Sequence, residues 1–322
     1  MRNRPKVDVS GRTPDPRESL ELKNCWQLFT RHTSTVEPKE SIRTSLRIIA
    51  HKGFRHLPVI ERDRQVVGVI SAGNLIDVFS EVDESWDRSD KILDTSVSSI
   101  MSETPIVIRR DQTILEAIEV VSRENIGALP IVAEENIASR HPGKQSLVGI
   151  ITLRDIISMM AAFAPFGVTV RDYMTHDVET VGEEDDVALA IRSMSRKGVR
   201  RLPVMNSRVY ERIRGMVTNK LVLRLLESCL AYNSPKVGIQ VACKQPARSI
   251  MISRMPVIDP NEDCGTASYL MREFGTGGFA VADSRGLLGI ITERDIVRRV
   301  YKREGISFFS ELFLSRSQTL YA

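Results

Sequence analysis

Gly149-Ile150-Ile151-Thr152-Leu153-Arg154-Asp155 returns at Gly289-Ile290-Ile291-Thr292-Glu293-Arg294-Asp295 with a single change, Leu153 against Glu293. Weaker forms stand at Gly68-Val69-Ile70-Ser71-Ala72-Gly73-Asn74 and at Gly215-Met216-Val217-Thr218-Asn219-Lys220-Leu221, so the chain carries four copies of one unit. A second marker keeps the same register. Leu57-Pro58-Val59, Leu129-Pro130-Ile131 and Leu202-Pro203-Val204 each precede a glycine motif, and Phe279-Ala280-Val281 fills that place in the fourth copy. The period of roughly 65 to 80 residues exceeds that of solenoid repeats, so each copy reads as a small module that needs a neighbour to bury its core.

Within a copy the pattern is short strand, amphipathic helix, strand, turn, strand, helix. In the second copy Ile106 to Ile108 is β-rich, and Thr113 with Glu116 forms a capping box at the start of a helix ending near Gly127. Leu129 to Val132 and Leu147 to Ile151 read as a hairpin around the polar stretch 133–146, and Thr152 caps a last helix over Asp155 to Ala162. In the third copy Glu183, Glu184, Asp185 and Asp186 are placed to open a helix running to Lys197, where the macrodipole favours acids. The predicted architecture is α/β in the α+β sense, four β-α-β-β-α repeats as two pseudo-symmetric pairs. Its boundaries are a flexible arm over 1–21, repeats over 22–80, 97–163, 170–230 and 246–303, and a tail over 304–322 with a short helix from Ile306 to Leu314. Ser80 to Asp94 and Tyr232 to Gln245 read as linkers inside the pairs.

Composition narrows the class. The 322 residues are 42% apolar and 27% charged with a net charge of +4, a globular balance that requires no polyanionic partner. Cys25, Cys229, Cys243 and Cys264 show no metal or disulfide spacing, which predicts a reducing, cytoplasmic setting. The longest uncharged run is short of a membrane span, and the start lacks an apolar signal region, so neither membrane insertion nor secretion is expected. His32, His51, His56, His141 and His176 are scattered, and no nucleophile elbow, phosphate loop or metal-spaced cluster is present, so an enzyme is not expected.

A unit with an apolar-Pro-apolar middle strand and a Gly-x-x-Thr-x-x-Asp close strongly resembles the cystathionine β-synthase (CBS) domain, over about residues 22–303. Four copies resemble two tandem pairs, the Bateman modules, and such arrays are similar to the γ subunit of AMP-activated protein kinase. Phe54-Arg55-His56-Leu57-Pro58-Val59 is close to that subunit's phosphate-contacting motif. The resemblance implies a regulatory protein with AMP, ADP, ATP or S-adenosylmethionine between paired repeats, and a protein partner or a homodimer.

Residue chemistry separates the copies. Thr152 with Asp155, and Thr292 with Asp295, suit helix capping, yet a carboxylate also accepts both hydroxyls of a vicinal diol, the family's grip on ribose. Arg154 and Arg294 lie inside the same motif. Copies one and three lack the acid, having Asn74 and Leu221, and carry Arg55, His56, Arg200 and Arg201 instead, suited to phosphate or to a solvated face. Gly127, Ala128, Gly277 and Gly278 leave room for a flat base or stop a helix. By family analogy Thr104 and Pro105, or Arg254 to Pro256, wall the base. The expectation is one composite site per pair, Asp155 with Arg55 and His56, and Asp295 with Arg200 and Arg201. A rival reading is a nucleic-acid-binding protein using the basic third copy and the Arg-rich arm.

Overall fold

The computed structural model describes residues 33–81, 89–134, 145–206, 212–230, 234–253 and 255–315. The arm over 1–21, Cys25, His32, His141, Arg254, most of the 133–146 loop and the end of the tail lie outside the described residues. Copy one contains α1 (Ile42–Lys52), β1 (His56–Ile60), β2 (Val66–Ser71) and α2 (Ala72–Ser80), and α3 (Ser89–Asp94) follows it. Copy two contains β3 (Ile108–Arg109), α4 (Ile114–Arg123), β4 (Ala128–Glu134), β5 (Gln145–Thr152) and α5 (Leu153–Met160), and α6 (Val170–Tyr173) leads on. Copy three contains β6 (Val181–Gly182), α7 (Val187–Lys197), β7 (Arg201–Met205), β8 (Ile213–Thr218) and α8 (Asn219–Cys229), followed by α9 (Pro235–Cys243). Copy four contains β9 (Ile252–Ser253), α10 (Cys264–Glu273), β10 (Gly278–Asp283), β11 (Gly286–Thr292) and α11 (Glu293–Ser315).

Each repeat is built on one antiparallel hairpin whose register is fixed by the two sequence markers. Pro58 faces Val69, Pro130 faces Ile150, Pro203 faces Met216 and Ala280 faces Ile290. A bulge follows in every copy, at Val59/Ile60, Ile131/Val132, Val204/Met205 and Val281/Ala282, re-aiming the strand toward the loop. The first strand of the sequence pattern shrinks to two residues in copies two and three, and to a single bridge at Val36 and at Ile258.

Pairing is a crossed exchange. The segments leading into copies two, four and three reach over to the partner's returning strand: Ser102 N–H donates to the Val69 carbonyl at 3.0 Å, Ile252 pairs with Met216, and Thr175 pairs with Ile290. Backbone hydrogen bonds therefore join copy one to two, and a shared four-stranded sheet joins copy three to four. The helices go the other way. α1 packs on α8 and α2 on α7, while α4 packs on α11 and α5 on α10. Burial follows: Leu46, Ile49, Leu75, Val222 and Leu226 share one core, and Ile118, Ile156, Ile157, Val297 and Phe309 share the other. The two pairs are thus not separable domains, because each helical core takes half its residues from either pair.

Four local readings differ. The stretches read as linkers form α3 and α9, and Leu93, Ile239 and Ala242 are fully buried in the core of copies one and three. α7 starts only at Val187; the acids before it serve the preceding turn, where Asp185 Oδ2 accepts from Gly182 N–H at 2.7 Å, and they pair with Arg214 and Arg248. α4 ends at Arg123, with Asn125 left-handed at φ 56°, so Gly127 is not its stop, whereas Gly275 at φ 59° does follow α10. The tail helix joins the last helix of copy four as one element, α11, kinked at Gly305.

Candidate nucleotide clefts

Four helices, α2, α5, α8 and α11, begin at the motif that opened the sequence, and their first turns set the chemistry. At α5 the Asp155 Oδ2 accepts from the Thr152 N–H at 2.8 Å and from its hydroxyl at 2.7 Å. Asp155 Oδ1 accepts no hydrogen bond among the described residues, so one carboxylate edge is spent on the cap and the other is open. At α11 the Asp295 Oδ2 is capped in the same way, at 3.0 and 2.6 Å, but Oδ1 accepts from the Thr175 hydroxyl at 3.2 Å and pairs with Arg299 at 3.2 Å. Burial pushes both carboxyls above the ordinary aspartate value, with the cap bonds working against it.

Two clefts open beside these acids. The first, about 360 Å³, brings Asp155, Thr152 and Arg154 of copy two to Arg55 and His56 of copy one, with Lys220 of copy three. The second, about 460 Å³, brings Asp295, Thr292 and Arg294 of copy four to Arg200 and Arg201 of copy three, with Arg55 of copy one. Their other walls are Thr33, Ser34 and Phe54 in the first and Thr175 and Val178 in the second.

Thr104, Gly127, Ala128, Gly277 and Gly278 line neither cleft. The crossed exchange is the reason. The segment leading into copy two lies on the sheet of copy one, so Thr104 stands away from its own copy's acid, while the segments leading into copies one and three face Asp155 and Asp295. The glycines make room for side chains instead of a base. A Cβ on Gly127 would lie 2.8 Å from His56 and 3.1 Å from Arg200, and one on Gly277 would collide with Arg201 and lie 2.8 Å from Glu293. One on Gly278 would lie 2.7 Å from the Ile291 carbonyl.

Between the clefts the basic residues converge on one acid. Glu293, with a side chain 4% exposed, takes Arg55 at 2.7 Å and Arg154 at 3.4 Å. Burial works to raise its carboxyl, but the charges of Arg55, Arg201 and Arg154 outweigh it and hold it below the ordinary value. For Arg200 and Arg201 burial outweighs the attraction of Glu293. Burial first, then the neighbouring Arg294 and Arg55, pull Arg200 down to about 9; burial pulls Arg201 to about 10 against the attraction of Glu293. His56 is driven well below its usual value by burial and by Arg200, Arg55 and Arg294. The Nε atoms of Arg201, Arg294 and Arg298 are buried without a hydrogen-bond partner among the described residues. The centre therefore holds more positive charge than its carboxylates balance, and unpaired buried donors of this kind are costly unless an anion meets them.

The family model described as the CBS domain matches residues 27–81, 97–162, 170–228 and 247–302. The chain belongs to the CBS-domain family. Paired CBS repeats are ligand-binding regulatory modules, and this CBS protein carries two pairs. Its relatives include the uncharacterized protein MJ1225 of Methanocaldococcus jannaschii, 29% identical over 82% of this chain and 94% of the relative. Another is an uncharacterized 33.4 kDa protein of Thermofilum pendens, 29% identical over 79% of this chain and 83% of that one. The crystal structure of MJ1225, described as a candidate archaeal homologue of the γ subunit of AMP-activated protein kinase, superposes with a TM-score of 0.73 at 25% identity, covering 86% of this chain and 99% of that one. An uncharacterized Pyrococcus horikoshii protein shares the fold at a TM-score of 0.55 and 18% identity, over 86% of this chain and 99% of that one.

Sequence reasoning missed Glu293, Thr33, Ser34, Thr175 and Lys220. For Glu293 the signal was in plain view as the one difference between the two seven-residue motifs, where Leu153 is its counterpart. Among the described residues no cluster suits a metal ion, and no helix is long and apolar enough to cross a membrane.

Proposed function

We propose that this CBS protein is an energy-sensing regulator that binds adenine nucleotides, AMP, ADP or ATP, in two composite clefts, and changes shape or partner contacts on binding. The observation that carries the reading is the under-neutralised arginine centre lying between two capping carboxylates, of which Asp155 keeps one oxygen open and Asp295 would have to give up its Thr175 and Arg299 contacts to take a ribose. Ribose hydroxyls would donate to Asp155 and Asp295. Phosphates placed beside those acids would be repelled, so they point away, toward Arg55 and His56 in one cleft and toward Arg200 and Arg201 in the other. The starts of α5 and α11 add partial positive charge to the same grooves. S-adenosylmethionine fits less well, since its sulfonium would face arginines. Nucleic acid also fits less well, because the crowded cations are buried at the centre and not spread over a face.

Calorimetry of the full chain with AMP and with adenosine tests this. Two adenine-nucleotide sites per chain are expected, with Asp155→Ala and Asp295→Ala each removing one. Arg200→Ala should weaken AMP more than adenosine, by about tenfold to a hundredfold, the scale of a lost charge-assisted hydrogen bond. Four equal sites, or an Asp295→Ala protein that binds like the parent, would defeat the assignment.

A further inference from the structure

A third cavity, about 160 Å³, lies where α2 of copy one and α8 of copy three begin side by side, lined by Ser71, Asn74, Asn219, Arg200 and Arg294, with Asp77 at one side. These are the two copies whose motif lost its aspartate. At α2 the cap is built by an amide: Ser71 N–H donates to Asn74 Oδ1 at 2.9 Å and the Ser71 hydroxyl donates to it at 2.7 Å. A backbone N–H only donates, so the carbonyl oxygen must face the cap, and the Nδ2 amino group must point outward. Nδ2 makes no hydrogen bond among the described residues. Where Asp155 offers its open oxygen as an acceptor, Asn74 offers a donor.

The rest of the lining has the same sign. Asn219, 4% exposed, has its own Nδ2 buried with no hydrogen-bond partner among the described residues, and the same holds for Arg294 at Nε. Arg200 is crowded by like charges, and both helix starts add partial positive charge, although their first N–H groups already donate, Ala72 to the Arg55 carbonyl at 2.9 Å and Asn219 to the Arg200 carbonyl at 3.0 Å. The one acid, Asp77, already accepts from the Ser195 hydroxyl at 2.8 Å. Apart from Asp77 the polar lining offers donors and positive charge, the match for an acceptor-only, multiply charged group.

We propose that this cavity between the two pairs is a site for a tetrahedral oxyanion, filled by free phosphate or by the terminal phosphoryl group of a nucleotide. The second source rests on the nucleotide reading above, since Gly198, Val199, Arg200 and Arg294 line both this cavity and the Asp295 cleft. The first source does not.

The informative change is Asn74→Asp, which keeps the capping oxygen, as Asp155 does in copy two, and replaces the outward donor by negative charge. Calorimetry of the full chain with orthophosphate alone should show one site in the parent and a loss of about tenfold or more in Asn74→Asp, with adenosine binding unchanged. Asn219→Ser, a second and milder change, should weaken phosphate in the same direction. If the source is a nucleotide, the parent prefers ATP to AMP, and Asn74→Asp erases that preference while leaving AMP affinity intact. Phosphate binding through Asn74 in a protein that binds no adenosine would keep the oxyanion site and remove the nucleotide reading. Parent-like phosphate affinity and parent-like ATP preference in both folded variants would overturn the proposal.

Discussion

His56 shows how a single residue reports the state of the centre. Burial, then Arg200, Arg55 and Arg294, depress its folded value well below the 6.5 of a free imidazole. The unfolded chain therefore takes up a proton near pH 6.5 that the folded chain refuses, and stability must fall as pH drops through that region. Asp155 and Asp295 act in the opposite sense at lower pH, because their raised carboxyls let the fold keep protons longer than the unfolded chain. Urea melts of the ligand-free protein from about pH 8 to about pH 5.5 should show a decline that His56→Gln removes, and the difference between the two proteins isolates the imidazole; identical slopes would mean that His56 is not neutral. Arg55, His56, Arg200, Arg201, Asp155 and Asp295 were legible in the sequence because each is a charged or titratable residue where the matching position of its partner copy is neutral: Gly127-Ala128, Gly277-Gly278, Asn74 and Leu221. Glu293 was not legible as a partner, since its guanidinium neighbours come from three different repeats and no local spacing brings them together.

At the scale of elements, hairpins and capped helices were legible because proline, glycine and Thr-x-x-Asp recur at fixed offsets. α9 was not. Lys236, Gly238 and Gln240 break its apolar pattern, although Ser234 as cap, bonded to Val237 N–H at 3.3 Å, and Pro235 at the first position mark a helix start. Gly238 costs the isolated helix about 1 kcal/mol relative to alanine, and the reason it stands there is tertiary. A Cβ would run into the Cys229 carbonyl, whose carbon lies 2.7 Å from that position. Gly238→Ala should therefore destabilise the protein by about 1 to 3 kcal/mol, the usual cost of overpacking, in spite of better helix propensity. Equilibrium urea unfolding measures this, and a stabilised variant would mean that α9 does not pack against the end of α8. The crossed exchange of lead-in segments was equally hidden, because a strand pattern does not say which of two similar sheets it joins. That is why the second wall of each cleft comes from the partner copy and Thr104 is in neither.

At the scale of the whole molecule, strand-edge backbone bonds tie copies one to two and three to four, helical cores tie one to three and two to four, and Glu293 closes the diagonal. Its carboxylate belongs to copy four, pairs with Arg55 of copy one and Arg154 of copy two, and is held ionised in part by Arg201 of copy three. Glu293→Gln keeps the shape and removes the charge. Three guanidinium groups would then face one another with no central counter-charge, and breaking a buried ion pair from one side costs about 3 to 5 kcal/mol. The ligand-free variant should unfold at lower denaturant than the parent by that margin. A nucleotide that brings its phosphates to the same arginines should recover more stability in the variant than in the parent, because it then supplies the missing negative charge; adenosine, which has none, should not. Denaturant midpoints measured with no ligand, with adenosine and with AMP at matched saturation separate these terms. Equal recovery by adenosine and AMP would show that phosphate does not reach the centre, and an unshifted midpoint without ligand would show that Glu293 does not hold the four repeats together.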